Sequence, residues 1–248
     1  MDIEQPSRRT VVTLVAVAVV SVVLDLVFGA FRIRRTDGED GRRVIESVPL
    51  PAPAEESDVS VEEAIADRRS RREYGERALE RRELGQLLWA AQGVTEQSTG
   101  FRAAPSAGAL YPLELYVAVG TPGVEGLESG VYRYQPRSHE LARVSSGDVQ
   151  SELQRAAVDQ AFVEAAAVDI IVCAVDDRTT GKYGERGRQR YVPMEAGHAG
   201  ENLYLQAEAL GLATVSVGAF HDSQVRDLVG APANERPLYV FPVGGRAQ

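Results

Sequence analysis

The sequence is poor in the side chains that most often build disulfides and metal sites. It contains one cysteine, Cys173, and three histidines, His139, His198 and His221, which are scattered along the chain. A single cysteine excludes an internal disulfide. Cys173 lies in the apolar run 170–175, where the expected role is that of a small buried hydrophobe rather than a nucleophile or metal ligand. These residues show no metal-site spacing.

Basic charge is also scarce. The chain has 27 basic and 36 acidic side chains, a net charge of -9, and its only lysine is Lys182. Binding to a phosphate backbone needs a basic surface, so this balance argues against a nucleic-acid partner. The phosphate-loop patterns GxGxxG and GxxxxGK(S/T) are absent as well, which argues against a plain dinucleotide-binding fold.

A long apolar segment stands near the start of the chain. Residues 11–31 are mostly valine, leucine and alanine, a length that suits a helix crossing about 30 Å of hydrocarbon. We therefore expect one membrane-spanning anchor, and the alternative is a cleaved signal peptide. More arginines follow the segment than precede it. The positive-inside bias then predicts a single-pass protein of the cell membrane with its folded domain in the cytoplasm.

The chain divides into three predicted regions. The anchor occupies residues 1–35, a proline-rich linker occupies 36–58, and a folded domain occupies 59–248. The linker is polar and contains the stretch VPLPAPAEES. This composition is typical of an extended tether.

Periodicity within the folded domain predicts helices and strands without strict alternation. Helices are predicted over 61–68, with Ser60 as a cap, and over 81–91, 149–157, 162–167 and 222–229. Strands are predicted over 113–119, 131–134, 141–144, 169–175 and 237–243. The polar stretch 176–191 is expected to be a long loop of the kind that is often functional or mobile.

The domain is organised around residues 194–218, MEAGHAGENLYLQAEALGLATVSVG. Small and apolar residues recur there at three- and four-residue spacing, which predicts a helix that Gly211 ends and a strand over 214–217 follows. Glycine inside a helix costs roughly 1 kcal/mol relative to alanine. Gly197 and Gly200 therefore indicate a close approach by another helix or a flat ligand.

Two short segments offer groups for ligand binding. Arg68, Arg69 and Arg72 with Ser70 place guanidinium groups and a hydroxyl close together in the chain, and such donors suit a phosphate. A solvated basic stretch is the alternative. The loop 105–108, PSAG, offers backbone amides with little side chain over them, as a planar ring requires. An ordinary tight turn explains this loop equally well.

Six motifs together resemble the nitroreductase superfamily. They are RRSRREY, PSAGALYP, KYGERG, EAGHAGENLYLQAEALGL, VGAF and PVGGR, in that order from about Val48 to Arg246. The branch they resemble most is that of the thiazole- and oxazole-forming, SagB-type dehydrogenases. The resemblance implies an α+β flavoprotein fold with a mostly antiparallel sheet flanked by helices. It also implies a homodimer with two FMN sites at the subunit interface.

The same resemblance implies roles for individual residues. In the family, one segment binds the phosphate, ribityl chain and pyrimidine edge of FMN. The residues that match this segment are Arg68, Arg69, Ser70 and Arg72. The loop that the partner subunit would place beside the isoalloxazine ring contains Pro105, Ser106, Ala107 and Gly108. The strand end near the reactive nitrogen contains Gly218 and Ala219. The second phosphate contact matches Gly244 and Arg246.

Lys182 and Tyr183 match a Lys-Tyr pair implicated in catalysis by azoline-oxidising relatives. Aromatising an azoline removes a carbon-bound proton and passes a hydride to flavin. The base for this step needs a pKa lowered by burial and by nearby cations, here Arg186 and Arg188. The alternative is a surface lysine on a polar loop.

The resulting prediction is a membrane-tethered FMN-dependent oxidoreductase. It would transfer a hydride between flavin and either a nicotinamide, NADH or NADPH, or an organic substrate, which is a small molecule or a peptide. One alternative is a quinone or nitroaromatic reductase held near membrane quinones. Another is a non-catalytic flavin-binding scaffold.

Overall fold

The computed structural model describes residues 44–247. Its strands are β1 Glu46–Pro49, β2 Tyr74–Gly75, β3 Val94–Glu96, β4 Phe101–Arg102, β5 Leu113–Val119, β6 Gly130–Gln135, β7 Glu140–Ser146, β8 Val168–Val175, β9 Leu212–Thr214 and β10 Glu235–Arg246. Its helices are α1 Val61–Asp67, α2 Arg81–Gln92, α3 Gln150–Ala156, α4 Ala161–Glu164, α5 Asp177–Tyr183, α6 Val192–Ala209 and α7 Asp222–Leu228. A 3-10 turn covers Ala107–Ala109 and a π-helical turn covers Gly187–Tyr191.

The main sheet is built around β8. The strand order is β1-β7-β6-β5-β8-β10-β2, and β9 also pairs with β10. Each of these strand pairs is antiparallel. Every residue of β8 is buried, as its continuous apolar sequence predicts for a strand covered on both faces.

Helices cover both faces of this sheet. Side chains alternate along β8, so Ile170 and Val172 enter one core cluster while Ile171 and Cys173 enter the other. The first cluster also contains residues of α2 and α6, and the second contains residues of α3 and α7. The predicted α+β class, with a mostly antiparallel sheet flanked by helices, is confirmed.

Helix α6 ends as expected and packs against the sheet through a glycine. Gly211 follows the helix with φ 66°, in the left-handed region. A Cβ on Gly200 would lie 3.0 Å from Cζ of Phe241 in β10, so a close approach is observed there, but a ring on a strand makes it rather than another helix or a flat ligand. Gly197 is exposed, and a Cβ there would meet nothing within 4 Å. The expected close approach at Gly197 is therefore wrong within the single chain.

The polar stretch 176–191, predicted as a long loop, is mostly helical because it contains α5 and the π-helical turn. The carboxylate of Asp176 accepts hydrogen bonds from Arg236 at 3.0 and 2.9 Å. Gly187 lies so close to Thr179 that a Cβ would be 2.9 Å from its Cγ2. The stretch is thus ordered by polar pairing and backbone packing, which apolar periodicity does not reveal.

Part of the predicted linker at 36–58 belongs to the sheet. Strand β1 pairs with β7, with Val48 opposite Leu141, and both Val48 and Leu50 are buried in the first core cluster. Sheet structure therefore begins before the expected start at residue 59. The pairing strand is distant in the sequence, so local composition could not predict it.

The predicted membrane location is corrected. Within residues 44–247, no helix has the length and apolar character needed to cross a bilayer. The segment 11–31, predicted as the spanning anchor, lies outside the described residues.

Candidate active site

The arginine-rich segment after α1 is held against α6 and β9. Ser70 Oγ lies 3.0 Å from the hydroxyl of Tyr204, and the N–H of Arg71 donates to the carbonyl of Thr214 at 2.9 Å. The Tyr204 hydroxyl also accepts from the N–H of Ser216 at 2.7 Å. These bonds fix the segment beside the chain that leaves β9.

The arginines predicted to bind phosphate belong to this segment, and their guanidinium groups lie beside it. The guanidinium carbon of Arg68 lies 5.1 Å from the ring centroid of Tyr204, and that of Arg72 lies 5.5 Å from the ring centroid of Phe162. Arg69 is exposed and donates to two nearby backbone carbonyls at 3.0 and 2.7 Å. Within the described part of the chain, none of these three arginines forms an ion pair.

The last strand brings Gly244 and Arg246 to the same place. Strand β10 pairs with β2 and sets Arg246 opposite Tyr74. Arg246 forms an ion pair with Glu208 of α6, and the same carboxylate lies 3.5 Å from Arg71. A Cβ on Gly244 would be 2.8 Å from Cβ of Tyr74. Packing of β2 therefore requires glycine at position 244.

The chain after β9 ends in an open backbone surface. Val217 is bridged to Val240 of β10, and Gly218 and Ala219 are exposed. The carbonyl of Ala219 accepts from Nε2 of Gln160 at 3.2 Å, and a Cβ on Gly218 would meet nothing within 4 Å. We use the name arginine group for Arg68, Arg69, Ser70, Arg72, Gly218, Ala219, Gly244 and Arg246.

The small-residue loop lies against the KYG motif of the same chain. Gly108 has φ 66°, and a Cβ there would lie 2.8 Å from both Nζ of Lys182 and the hydroxyl of Tyr183. The missing side chain of glycine is what lets the two motifs touch. We use the name loop group for Pro105, Ser106, Ala107, Gly108, Lys182 and Tyr183.

Lys182 is exposed on α5, with Nζ 5.4 Å from the ring centroid of Tyr183. The Tyr183 ring packs edge-on against Tyr191 at 4.9 Å. Arg186 donates a hydrogen bond to the Tyr191 hydroxyl at 3.1 Å, and Arg188 forms an ion pair with the carboxylate of Asp176 at 3.3 Å. The single chain leaves Lys182 exposed, and its burial in a flavin site stays a prediction.

Glu195 was missed by the sequence analysis. This residue of α6 is 2% exposed. Burial raises the pKa of its carboxyl to about 7, against a hydrogen bond from Ser106 and the charges of Arg102 and Arg178. Its Oε1 has no hydrogen-bond partner within residues 44–247. The sequence did contain a signal for this residue. Glu195 shares a face of the predicted helix with Ala199, and a carboxylate on a buried helical face is rare.

The two groups lie near opposite ends of α6. The loop group contacts Glu195 through Ser106, whereas the arginine group contacts Tyr204 and Glu208. Glu195 precedes these residues by 9 and 13 positions, which is about 14–20 Å along the helix axis. A single chain therefore does not place its own loop beside its own arginines.

This architecture corresponds to that of a known protein family. The model of the nitroreductase family matches residues 65–245. The chain belongs to the nitroreductase family. Nitroreductases are oxidoreductases, so the predicted superfamily and the predicted enzyme class are confirmed at that level.

Three relatives differ in the activity that their names describe. A protein of Methanocaldococcus jannaschii named as a nitroreductase is 46% identical over 191 residues, 77% of this chain and 93% of that protein. The microcin B17-processing protein of Escherichia coli is 29% identical over 147 residues, 58% of this chain and 54% of its own length. The NADPH-flavin oxidoreductase of Vibrio harveyi is 28% identical over 112 residues, 42% of this chain and 46% of its own.

A solved structure agrees with the fold. The crystal structure of a Ralstonia eutropha protein described as a nitroreductase matches with a TM-score of 0.69 and 28% identity, over 82% of this chain and 90% of that one. The nitroreductase-like fold is therefore confirmed. The names of the relatives cover reduction of nitro compounds, flavin reduction and peptide processing, so family membership does not select one of these reactions.

Proposed function

We propose that this protein is an FMN-dependent oxidoreductase that transfers a hydride between its flavin and a nicotinamide or an organic substrate. The arginine group is the observation that carries the proposal. Arg68, Arg69 and Arg72 bring guanidinium charges without ion-pair partners among the described residues to one surface of a chain whose net charge is -9. Guanidinium groups bind phosphate through charge-assisted, paired hydrogen bonds. The terminal phosphate of FMN fits these donors.

The open backbone at Gly218 supports the same cofactor. Because no atom of the described residues lies within 4 Å of a Cβ position there, a flat ring can rest directly on the chain. Ser70 adds a hydroxyl beside this surface. When bound, FMN supplies the centre that accepts and donates hydride, and the protein supplies binding and orientation.

The same proposal includes a homodimer in which two chains share each flavin site. The loop group and the arginine group are separated along α6, but a twofold axis can bring the loop of one copy to the arginines of the other. Helix α6 offers a face for this contact, since Met194 is 54% exposed.

Lys182 and Tyr183 are proposed to move a proton at the substrate. Their ammonium and hydroxyl groups lie at Gly108, so a substrate resting on the loop group would reach both. A second candidate function is SagB-type dehydrogenation of an azoline within a peptide. This Lys-Tyr pair and the similarity to the microcin B17-processing protein favour it.

The ultraviolet-visible spectrum of the full-length protein tests the flavin proposal. We expect a flavin absorption band that stays with the protein after purification, or after incubation with FMN and removal of the unbound flavin. Bleaching by NADH or NADPH, followed by reoxidation with a nitroaromatic compound or a quinone, would support a nicotinamide-dependent reductase. Bound flavin that no nicotinamide reduces would favour an organic donor. A protein that is colourless after incubation with FMN and removal of the unbound flavin would overturn the proposal.

The arginine assignment can be tested with a pair of matched variants. Replacing both Arg69 and Arg72 by alanine should raise the dissociation constant of FMN by at least about tenfold, because each charge-assisted hydrogen bond is worth about 1.5–3 kcal/mol. Arg82→Ala is the control, since this exposed arginine pairs with Glu80 at the start of α2. Equal FMN affinity in the double variant and the control would contradict the assignment.

Lys182→Ala tests the proton-transfer role. We expect the variant to retain flavin and to lose turnover, with Lys182→Arg as the matched variant that keeps the charge. Full turnover in Lys182→Ala would make Lys182 an ordinary surface residue and leave the flavin proposal intact.

A further inference from the structure

A second concave site lies next to the loop group. It is a cavity of about 450 Å³ whose walls include Arg102, Tyr111, Tyr134, Arg137 and Arg178. This volume falls within the range of about 300–1,000 Å³ that is usual for small-molecule sites. No residue of the arginine group lines it.

The cavity is strongly basic for so acidic a protein. Its lining contains four arginines and one glutamate, a formal excess of three positive charges, whereas the whole chain carries -9. Glu114 lies 3.7 Å from Arg133 and also pairs with Arg178. Neither Arg102 nor Arg137 forms an ion pair with any residue between 44 and 247. These two guanidinium groups are available to an anion.

Arg102 is held in place by neutral groups. Its Nη1 donates to Oε1 of Gln92 at 2.8 Å, and its guanidinium carbon lies 4.7 Å from the ring centroid of Tyr111. Burial lowers the pKa of Arg102, and the more distant charges of Glu114 and Glu195 offset this only in part. A bound anion would offset the remaining cost of keeping this cation away from water.

Two residues in the cavity wall have a backbone conformation that side chains disfavour. Ala109 has φ 53° and Tyr111 has φ 46°. The N–H of Tyr111 donates to Oγ of Ser106, and its carbonyl accepts from Arg178, both at 2.9 Å. Left-handed non-glycine residues are uncommon and concentrate at ligand sites. Here they are held by the residues that join the cavity to the loop group.

Tyrosine rings make part of the wall apolar. The Tyr134 hydroxyl lies 2.8 Å from Nδ1 of His139, and the Tyr111 hydroxyl accepts from the N–H of Arg102 at 3.2 Å. Tyr134 is 2% exposed, so the aromatic surface that a ligand can reach is the ring of Tyr111. The lining therefore combines arginines for an anionic group with aromatic surface for a flat body.

The cavity and the proton-transfer pair share two structural elements. Arg178 and Lys182 are four residues apart on α5 and thus on one face of the helix. Ala109, in the cavity wall, directly follows Gly108, which touches Lys182 and Tyr183. We propose that the cavity binds the carboxylate of an aromatic substrate and holds the substrate beside the loop group. This assignment of a substrate rests on the proposed function.

Calorimetric titration of the full-length protein tests the proposal with benzoate and with benzamide, its neutral analogue. We expect benzoate to bind at least tenfold more tightly than benzamide, because only the carboxylate pairs with guanidinium groups. Arg137→Ala removes an exposed arginine that has no ion pair among residues 44–247, and it should weaken benzoate binding at least fivefold while leaving benzamide unchanged. Arg82→Ala, which changes an exposed arginine of α2, should leave both unchanged.

A further arm identifies the source of the carboxylate. N-acetylphenylalanine presents the carboxyl terminus of a peptide, and its amide is the matched neutral compound. Tighter binding of N-acetylphenylalanine than of benzoate would assign the cavity to a peptide terminus, and the reverse order would assign it to a free aromatic acid. Either order supports the proposal only if the neutral compounds bind more weakly.

The outcomes separate this proposal from the flavin assignment. Equal binding of benzoate and benzamide, or unchanged benzoate binding in Arg137→Ala, overturns the cavity proposal even if the protein carries flavin. Selective benzoate binding by a protein that does not take up FMN overturns the flavin assignment and the substrate role, and leaves the anion site in place. Flavin absorbance is recorded on the same samples to make this distinction.

Discussion

The buried carboxyl of Glu195 gives the sharpest test of how the site is built. Glu195→Gln keeps the size of the side chain and an oxygen that can accept from Ser106, and it removes the titrating group. Because Glu195 is 2% exposed, the ionised form loses nearly all of its hydration when the chain folds. The variant therefore isolates the cost of that ionisation.

The direction of the pKa change determines whether the stability of the protein rises or falls with pH. Folding raises the pKa of Glu195 from 4.5 to about 7, so the folded chain binds more protons than the unfolded chain between these values. The free energy of unfolding must then fall as the pH rises through this window. At about 1.36 kcal/mol for each pKa unit, the loss approaches about 3 kcal/mol above the window. The glutamine variant does not show this loss.

Urea unfolding of both proteins at equal flavin content measures the effect. Near pH 4.5 the two proteins should have similar stability, whereas near pH 8 the variant should be more stable by about 2–3 kcal/mol. Asp169, whose pKa is raised by burial in β8, contributes to the pH dependence of both proteins. Its contribution cancels in the difference between them.

Glu201→Gln is the matched control, because Glu201 is exposed on the same helix. Its stability difference from the parent protein should stay within about 0.5 kcal/mol at both pH values. If Glu195→Gln gave the same stability difference at low and high pH, the carboxyl would not be titrating in the buried setting described here. The account of Ser106 and Arg102 around it would then be refuted.

Two further predictions concern α6. Gly197→Ala should stabilise the chain by up to about 1 kcal/mol. The Gly200→Ala variant should be less stable than the Gly197→Ala variant by about 1–3 kcal/mol, because its Cβ would lie 3.0 Å from Cζ of Phe241. Thermal unfolding measures both variants, and equal stabilities would contradict the close contact. Glu208→Gln removes the carboxylate that pairs with Arg246 and should tighten FMN binding by about fivefold, or about 1 kcal/mol. Fluorescence titration measures this affinity, and weaker binding would place the phosphate away from Arg246.

Elements with strong local signals were predicted closely. Strand β5 was predicted with its observed bounds, Leu113–Val119, because its run of apolar, aromatic and β-branched residues is a local strand signal. Helix α2 was predicted one residue short of its observed end, and Gly93 follows it as expected. Ser60 caps α1 through a bond from the N–H of Glu63 at 3.1 Å. Local chemistry sufficed for each of these.

Elements that depend on distant partners were not predicted. Strand β1 has only its pairing with β7 to mark it, and the neighbouring prolines suggested a tether. Helix α5 and the π-helical turn are stabilised by polar contacts such as Asp176 with Arg236. Neither contact leaves a periodic apolar pattern in the sequence, so periodicity could not reveal it.

The motifs of the candidate site were found in the sequence, but their arrangement was not. The exposure of Lys182 and its contact with Gly108 depend on where α5 meets the loop. The burial of Glu195 depends on the packing of α6 against that loop. A residue's chemistry is local, whereas its exposure and its neighbours are set by the whole chain.

By itself, the sequence determined the fold class, most helices and strands, and the residue types offered to a phosphate and a flat ring. Only the tertiary structure decided that the arginine group and the loop group stand near opposite ends of α6, and that Glu195 is buried beside Ser106 and within the field of Arg102. The physical reason is that periodicity records which face of an element is apolar. It does not record which distant element covers that face, and this covering sets the burial, charge and spacing of the site.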